Sequence, residues 1–307
     1  MFLTGLMHAS PDDGGMRLLA LTLLCWSLAT SAEPQFRDVR LADDVILRFA
    51  WIPGGRHAVG DVTGSGQRDE QPTRQVELDG FWLMTHEFTR KAFGWYVRVA
   101  AVVLPSGCQV YRDDWAWDEN ASWNSPGHEQ SDAEPVVCLS WHEVQAMVEW
   151  LRARGIRVRL PSEAEWEAAA RGGTTSTWFW GEDRLGLCRH ANSADKTLAP
   201  HHPSFSIVAC DDGHYRTAPV ASFEPNAFGL HDVYGNVWEW VQDCWNESYV
   251  GAPADGSAWL EGDCERRGFR GGGWGDIPAY ARSAIRNRTA ALNRKDDVGF
   301  RLVLEPD

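Results

Sequence analysis

Between Gly229 and Trp240 the chain reads GLHDVYGNVWEW, which packs a turn, two acidic side chains and two tryptophans into one short stretch. Gly229 and Gly235 allow positive φ and close backbone approach, so the segment can fold back and turn main-chain carbonyls inward. Asp232 and Glu239 add carboxylate oxygens on either side, and an oxygen-only mixture of side-chain and backbone ligands is what Ca²⁺ accepts. The nitrogen and sulfur set that zinc prefers is missing from it. By itself the stretch reads equally well as a tight Asx-type turn entering a Trp-rich core strand, because it lacks the regular alternation of an EF-hand loop.

The 307 residues are 44% hydrophobic and 23% charged, enough apolar material for one large domain or two small ones. A formal charge of -14 argues against nucleic acid as a partner, since nucleic-acid binders carry a basic footprint. At the N-terminus Arg17 precedes the apolar run Leu18 to Leu28, and Thr30 and Ala32 stand where a signal-peptide cleavage site needs small residues. Residues 1–32 therefore read as a signal peptide, with 1–15 an upstream extension and Met16 an alternative start. Residues 33–307 form the exported domain. No segment of that domain is long and apolar enough to span a bilayer. Leu24 before Cys25 is too bulky for a lipobox, so lipidation is not expected.

Six cysteines then remain: Cys108, Cys138, Cys188, Cys210, Cys244 and Cys264. An even number in an exported protein reads as three disulfides, and six cysteines allow fifteen connectivities. Proximity in sequence favours Cys108–Cys138, Cys188–Cys210 and Cys244–Cys264.

Asp43 to Pro53 alternates as a strand, and Gly54 to Thr73 reads as a polar surface loop. Thr89 can cap a helix through Val102 with Phe93, Tyr96, Val97 and Ala100 on one face. Ser106 to Asp132 is long, irregular and Trp-containing, the kind of loop that tends to be functional. Ser140/Glu143 and Ser162/Glu165 are capping boxes that open two more helices. The first carries an apolar stripe and stops before Gly155; the second ends at Gly172-Gly173. Beyond Arg171 no helical period is evident, and the irregular backbone expected there needs pinning by disulfides, ions and some of the 17 tryptophans.

The histidines yield no metal motif. His142-Glu143 opens like a zincin helix, but Ala146 stands where the second ligand belongs. His201-His202 reads as a solvated loop pair and His231 as a satisfied polar residue. No nucleophile elbow, P-loop or dinucleotide fingerprint occurs.

The ordered series FWLMTHEFT, EPVVCLSWHEVQAMVEWL, RLPSEAEWEAAARGG, TAPVASFEPNAFGL, GLHDVYGNVWEW, FRGGGWGD and VGFRLV closely resembles the formylglycine-generating enzyme and sulfatase-modifying-factor family, from about Val45 to the C-terminus. The resemblance implies a single α+β domain with few regular elements, much irregular loop, disulfides and bound calcium. One implied calcium site falls on Asp232, Gly235, Val237 and Glu239. The other falls on Asn192, Ser193, Asp212 and His214, with Ser193 and His214 contributing backbone carbonyls. One or two structural calcium ions are therefore expected.

The family's oxidase chemistry needs two copper-binding cysteines after the glycine turn. Here that segment, Gly271 to Arg288, has none: the first position falls on Gly275 or Asp276 and the second near Ala279 to Ala281. Neither copper nor formylglycine generation is expected. The arginines Arg282, Arg286, Arg288 and Arg301 could line a basic groove, but the resemblance implies pairing with buried acids.

Three functions follow from the resemblance. The preferred one is an exported, non-catalytic regulatory protein of a Gram-negative periplasm, free or held at the membrane. It would act on an envelope or membrane protein partner or a peptide, as TagR-type accessory proteins help a type VI secretion system activate its membrane kinase. The alternative is a periplasmic enzyme of different chemistry, such as PvdO-type maturation or oxidation of a peptide siderophore, with Asp276 as acid or base near Tyr280 and Arg282. The third is a structural envelope protein.

Overall fold

The computed structural model describes residues 33–306, so the expected signal peptide lies outside the described residues. The strands and helices run in the order β1 (Phe36–Ala42), β2 (Val45–Ile52), β3 (Gly55–Val59), β4 (Arg74–Leu78), β5 (Phe81–Met84), α1 (Arg90–Ala100), β6 (Cys108–Tyr111), β7 (Trp115–Asp118), α2 (Trp141–Arg152), β8 (Val158–Arg159), α3 (Glu163–Arg171), α4 (Leu187–His190), β9 (Trp238–Trp245), β10 (Asp263–Arg270), β11 (Arg286–Ala290), β12 (Val298–Gly299) and β13 (Val303–Leu304). They form an antiparallel sheet in the order β1-β2-β5-β13-β8 and a mixed sheet in the order β11-β10-β9-β12. β3 and β4 pair in one hairpin, β6 and β7 in another. None of the helices among the described residues is long and apolar enough to cross a membrane.

Local chemistry sets the helix ends. The Thr89 side chain accepts from the Ala92 amide, and Ala101 closes α1 in the left-handed region at φ 52°. Both capping boxes form as the sequence predicts. α2 buries Val144, Met147, Val148 and Leu151. α3 is buried along its whole length, charged residues included, and burial of charges is tolerable only when they are paired. Arginines from distant strands supply the partners: Arg286 meets Glu163 at 2.8 Å and Arg270 meets Glu167 at 2.5 Å, while Arg171 reaches Glu167 at 2.7 Å within the helix. The Ser162 hydroxyl caps the helix and also donates to the Gly256 carbonyl at 2.7 Å. Ser162→Ala should therefore cost about 1–2 kcal/mol, read as a shift in the urea midpoint.

The three disulfides join Cys108 to Cys138, Cys188 to Cys210 and Cys244 to Cys264. Three such links fit an oxidising compartment.

Three stretches differ from the sequence reading. The loop expected at Gly54 to Thr73 contains β3, and that at Ser106 to Asp132 contains the β6–β7 hairpin. The strand β1 was not expected at all. β1, β3 and β7 are mostly exposed or half-buried, and β6, which alternates buried Cys108 and Val110 with half-buried Gln109 and Tyr111, is only four residues long, too short for its period to stand out in sequence.

Candidate functional site

The GLHDVYGNVWEW turn anchors a buried polar chain of contacts. Gly235 sits at φ 72°, where a Cβ would lie 2.0 Å from the Asn192 carbonyl oxygen, so only glycine permits this approach. Asn236 donates its amide to that carbonyl at 2.7 Å. Its side-chain oxygen accepts from the Ala218 amide and from Asn192 Nδ2, while its Nδ2 donates to Glu87 Oε1 at 3.0 Å. β12 runs parallel to β9 with Gly299 opposite Glu239, and Arg301 two residues on reaches the same carboxylate. Arg301 grips Glu239 with two 2.7 Å bonds, and Trp166 Nε1 donates to it at 2.8 Å.

Asp232 accepts from the Ala221 amide through Oδ2 at 2.6 Å. Its Oδ1 and Glu87 Oε2 are buried without a donor. Burial and the neighbouring Asp232 charge push the Glu87 carboxyl well above its usual range, and one proton shared between the two groups would satisfy both oxygens. Set against the calcium expectation, Glu239 and Asp232 are here largely engaged by the protein's own partners.

The second expected ligand set is more open. Asp212 accepts one backbone bond on each oxygen, from Ser193 and His214, both at 2.9 Å. Asn192 Oδ1 is buried with no hydrogen-bond partner. Burial, with Asp195 and Asp211 nearby, pushes the Asp212 carboxyl up to about 7. An oxygen-only group with a spare acceptor and a destabilised negative charge fits a hard cation. Cys188 lies close to Asp195 and Asp212, but its bond to Cys210 removes it as a thiolate ligand.

At the expected place of the lost thiolates lies a cavity of about 120 Å³, walled by Tyr111, Trp115, Phe205 and Trp274 with the carboxylates of Asp276 and Asp297. The described cysteines are all disulfide-bonded, so none of them offers a thiolate there. Asp276 is half-buried, and Oδ2 accepts from Trp238 Nε1 at 2.7 Å and from the Gly273 amide at 2.8 Å. The motif's own tryptophan thus fixes the acid. Burial and Asp297 raise the Asp276 carboxyl to about 6.

Two cations flank the cavity. Lys295 Nζ lies 3.6 Å from the Trp115 ring centroid and 3.2 Å from Asp297, and Arg216 stacks 4.2 Å from Trp274 and pairs with Asp296 at 3.5 Å. Three roomier clefts of about 680, 540 and 530 Å³ lie elsewhere among the described residues, but none gathers aromatic rings around acids in this way.

Of the residues expected beside Asp276, Tyr280 is exposed and Arg282 reaches away to clamp Glu70 at 2.5 Å, so neither joins the cavity wall. His202 corrects the reading of a solvated pair: it is buried and stacks on Phe205 at 5.0 Å, while His201 stays exposed. His231 is satisfied, with Nδ1 2.7 Å from the Phe223 carbonyl. Arg282, Arg286 and Arg301 pair with buried acids as the resemblance implied, whereas Arg288 stays partly exposed, 3.7 Å from Glu247. Sequence reasoning missed Glu87, Arg216, Asp296 and Asp297, none of which carries a motif of its own.

The model of the sulfatase-modifying factor enzyme 1-like domain matches residues 37–306. The chain belongs to that family. Within it, the chain is 28% identical over 288 residues to the formylglycine-generating enzyme of Streptomyces coelicolor, covering 83% of this chain and 88% of that protein. It is 27% identical over 304 residues to the inactive C-alpha-formylglycine-generating enzyme 2 of Bos taurus, covering 86% and 90%. The serine/threonine-protein kinase Pkn1 of Chlamydia trachomatis is 30% identical over 84% of this chain but only 38% of the kinase. Among solved structures, PvdO from Pseudomonas aeruginosa superposes with a TM-score of 0.75 at 31% identity, covering 90% of this chain and all of that one.

Proposed function

We propose that this family member is an exported binding protein of a Gram-negative periplasm that recognises an envelope protein or peptide and carries out no formylglycine chemistry. One observation carries the reading: where the family's thiolates would stand, the chain has an aromatic cavity with a fixed Asp276 and no free thiol among the described residues. Regulation of a membrane kinase, as in type VI secretion, is the particular role that the partial likeness to Pkn1 supports. The test is capture from the source envelope with residues 33–307 in calcium buffer, alongside a Trp274→Ala variant. One stoichiometric membrane protein held by the parent and lost by the variant supports the reading; equal capture by both removes it.

A second reading, an enzyme acting on a peptide such as a siderophore precursor, is favoured by the likeness to PvdO and by the raised Asp276 carboxyl, which suits proton transfer near neutral pH. Turnover lost in Asp276→Asn, with folding and partner capture unchanged, would select it.

We also propose a structural calcium ion held by Asn192, Asp212 and the carbonyls of Ser193 and His214. A second ion at Asp232, Gly235, Val237 and Glu239 would have to displace the Glu87 proton or loosen Arg301. Calcium at about a hundred times its dissociation constant stabilises by about 2.7 kcal/mol, so EDTA should lower the melting temperature by about 5–11 °C. Asp212→Asn should abolish that difference; an EDTA-insensitive melt would remove the ion.

A further inference from the structure

We propose that the cavity beside Asp276 is a cage for the cationic head of a basic peptide side chain, an alkylammonium or guanidinium, with Asp276 as counter-ion and Tyr111, Trp115, Phe205 and Trp274 as walls. The proposal rests on the binding reading above and names what the site would hold.

The first constraint on the ligand is size. A volume of about 120 Å³ is the room of about four water molecules. That admits an ammonium with a methylene or two, or a guanidinium, but not a large aromatic side chain.

The second is charge. Asp276 and Asp297 line the cavity and Asp296 adjoins Asp297 in the chain, making three acids against two cations, Lys295 and Arg216. Lys295 contacts Asp297 at 3.2 Å and Arg216 contacts Asp296 at 3.5 Å. Asp276 has no cation of its own; Trp238 and the Gly273 amide hold only its Oδ2. When all three acids are ionised, they outnumber the two cations by one negative charge.

The third is the kind of wall. Aromatic faces attract cations through the ring quadrupole, and more strongly when water is excluded. The protein already uses this interaction twice at the rim, with Lys295 on Trp115 at 3.6 Å and Arg216 on Trp274 at 4.2 Å.

The fourth is unmet hydrogen bonding. Trp274 and Asp297 both line the cavity and are more than nine-tenths buried, at 3% and 8% exposure. Trp274 Nε1 has no hydrogen-bond partner, and a buried polar atom in that state is costly, whereas Asp297 Oδ1 is ion-paired with Lys295 at 3.2 Å. A carbonyl of the bound peptide would accept from Trp274 Nε1.

Binding should depend on pH. Asp276 titrates at about 6, raised by burial and by Asp297 and lowered by Lys295 and the two donors on Oδ2. Asp296, raised to about 7, lies behind it with Arg216 and Tyr111. His202 packs on the Tyr111 side, and burial and Arg216 lower its pKa. Protonated Asp276 offers no counter-charge, so affinity should rise from pH 5 to 7.5.

The test titrates the domain with N-acetyl-lysine-N-methylamide and N-acetyl-arginine-N-methylamide, using N-acetyl-norleucine-N-methylamide as the uncharged control, and follows the indole N–H resonances of Trp115, Trp238 and Trp274. The basic probes should shift them saturably and bind at least about ten-fold more tightly than norleucine. Asp276→Asn should lose about ten-fold in affinity. Trp115→Leu, on the exposed rim, should weaken binding with an unchanged melt, which guards against misfolding of the first variant. Equal binding of norleucine, or full affinity in a folded Asp276→Asn, overturns the cage. Failed titrations with successful partner capture remove the cage alone. Bound probes without any captured partner remove the binding-protein reading and leave the cage standing.

Discussion

Arg301→Met should destabilise the domain by about 3–5 kcal/mol. Arg301 and Glu239 are 0% and 1% exposed, so neither charge can recover hydration where it stands. The guanidinium makes two bonds to Glu239 and donates further to the carbonyls of Met84, His231 and Asp232. It also faces the Glu87 and Asp232 carboxyls, whose ionised forms it favours. Methionine fills much of the volume but leaves a buried carboxylate with the Trp166 indole and no counter-charge, and three carbonyls without the guanidinium. The check is a urea titration in which the midpoint falls and the slope stays constant. A companion Glu239→Gln/Arg301→Met double variant should be less destabilised than the sum of the two singles, because the buried charges leave together. A loss below about 1 kcal/mol would mean that the pair is solvated and behaves as a surface bridge.

This pair also marks the limit of what could be read from the chain. The helix caps at Ser140 and Ser162 were legible because donor and acceptor lie three residues apart, and the three disulfides because each pair is also the nearest in sequence. The turn at Gly235 announced itself by glycine in a polar motif. Arg301 and Glu239, by contrast, are 62 positions apart and meet only because a two-residue strand lies parallel to β9. No periodicity marks so short an element. The cavity is a harder case, since its walls come from β6, β7, the loop after α4, the glycine turn and the segment before β12. Asp276 could be singled out as the residue standing where a thiolate would. Asp296, Asp297 and Arg216 could not, because their role depends on which aromatic rings the fold brings alongside.

Removing the Cys188–Cys210 link should open the wall of that cavity before the core unfolds. The link closes 22 residues, for which the chain-entropy relation gives about 3 kcal/mol, or about 6–12 °C of melting temperature. Cys244–Cys264 closes 20 residues, nearly the same term. The two differ in what else holds their ends. Cys244 and Cys264 lie on β9 and β10, which pair directly. Between Cys188 and Cys210 the chain has no strand and only the short helix α4. Its main-chain ties to the rest of the domain are few: Ala194 to Asp276 at 3.0 Å, Asn236 to Asn192 at 2.7 Å and Glu224 to Arg189 at 3.1 Å. Segments with so few ties open locally at low free energy. Cys188→Ala/Cys210→Ala should therefore become protease-sensitive between 193 and 214 under native conditions. It should also lose the calcium increment, since Asn192 and Asp212 flank the loosened chain, and lose the cage, since Phe205 lies within it. Cys244→Ala/Cys264→Ala should show a similar fall in melting temperature with no new cleavage in that segment. Identical proteolysis in both variants would mean that the loop is held by its buried Asp195 and Leu198 instead of by the disulfide.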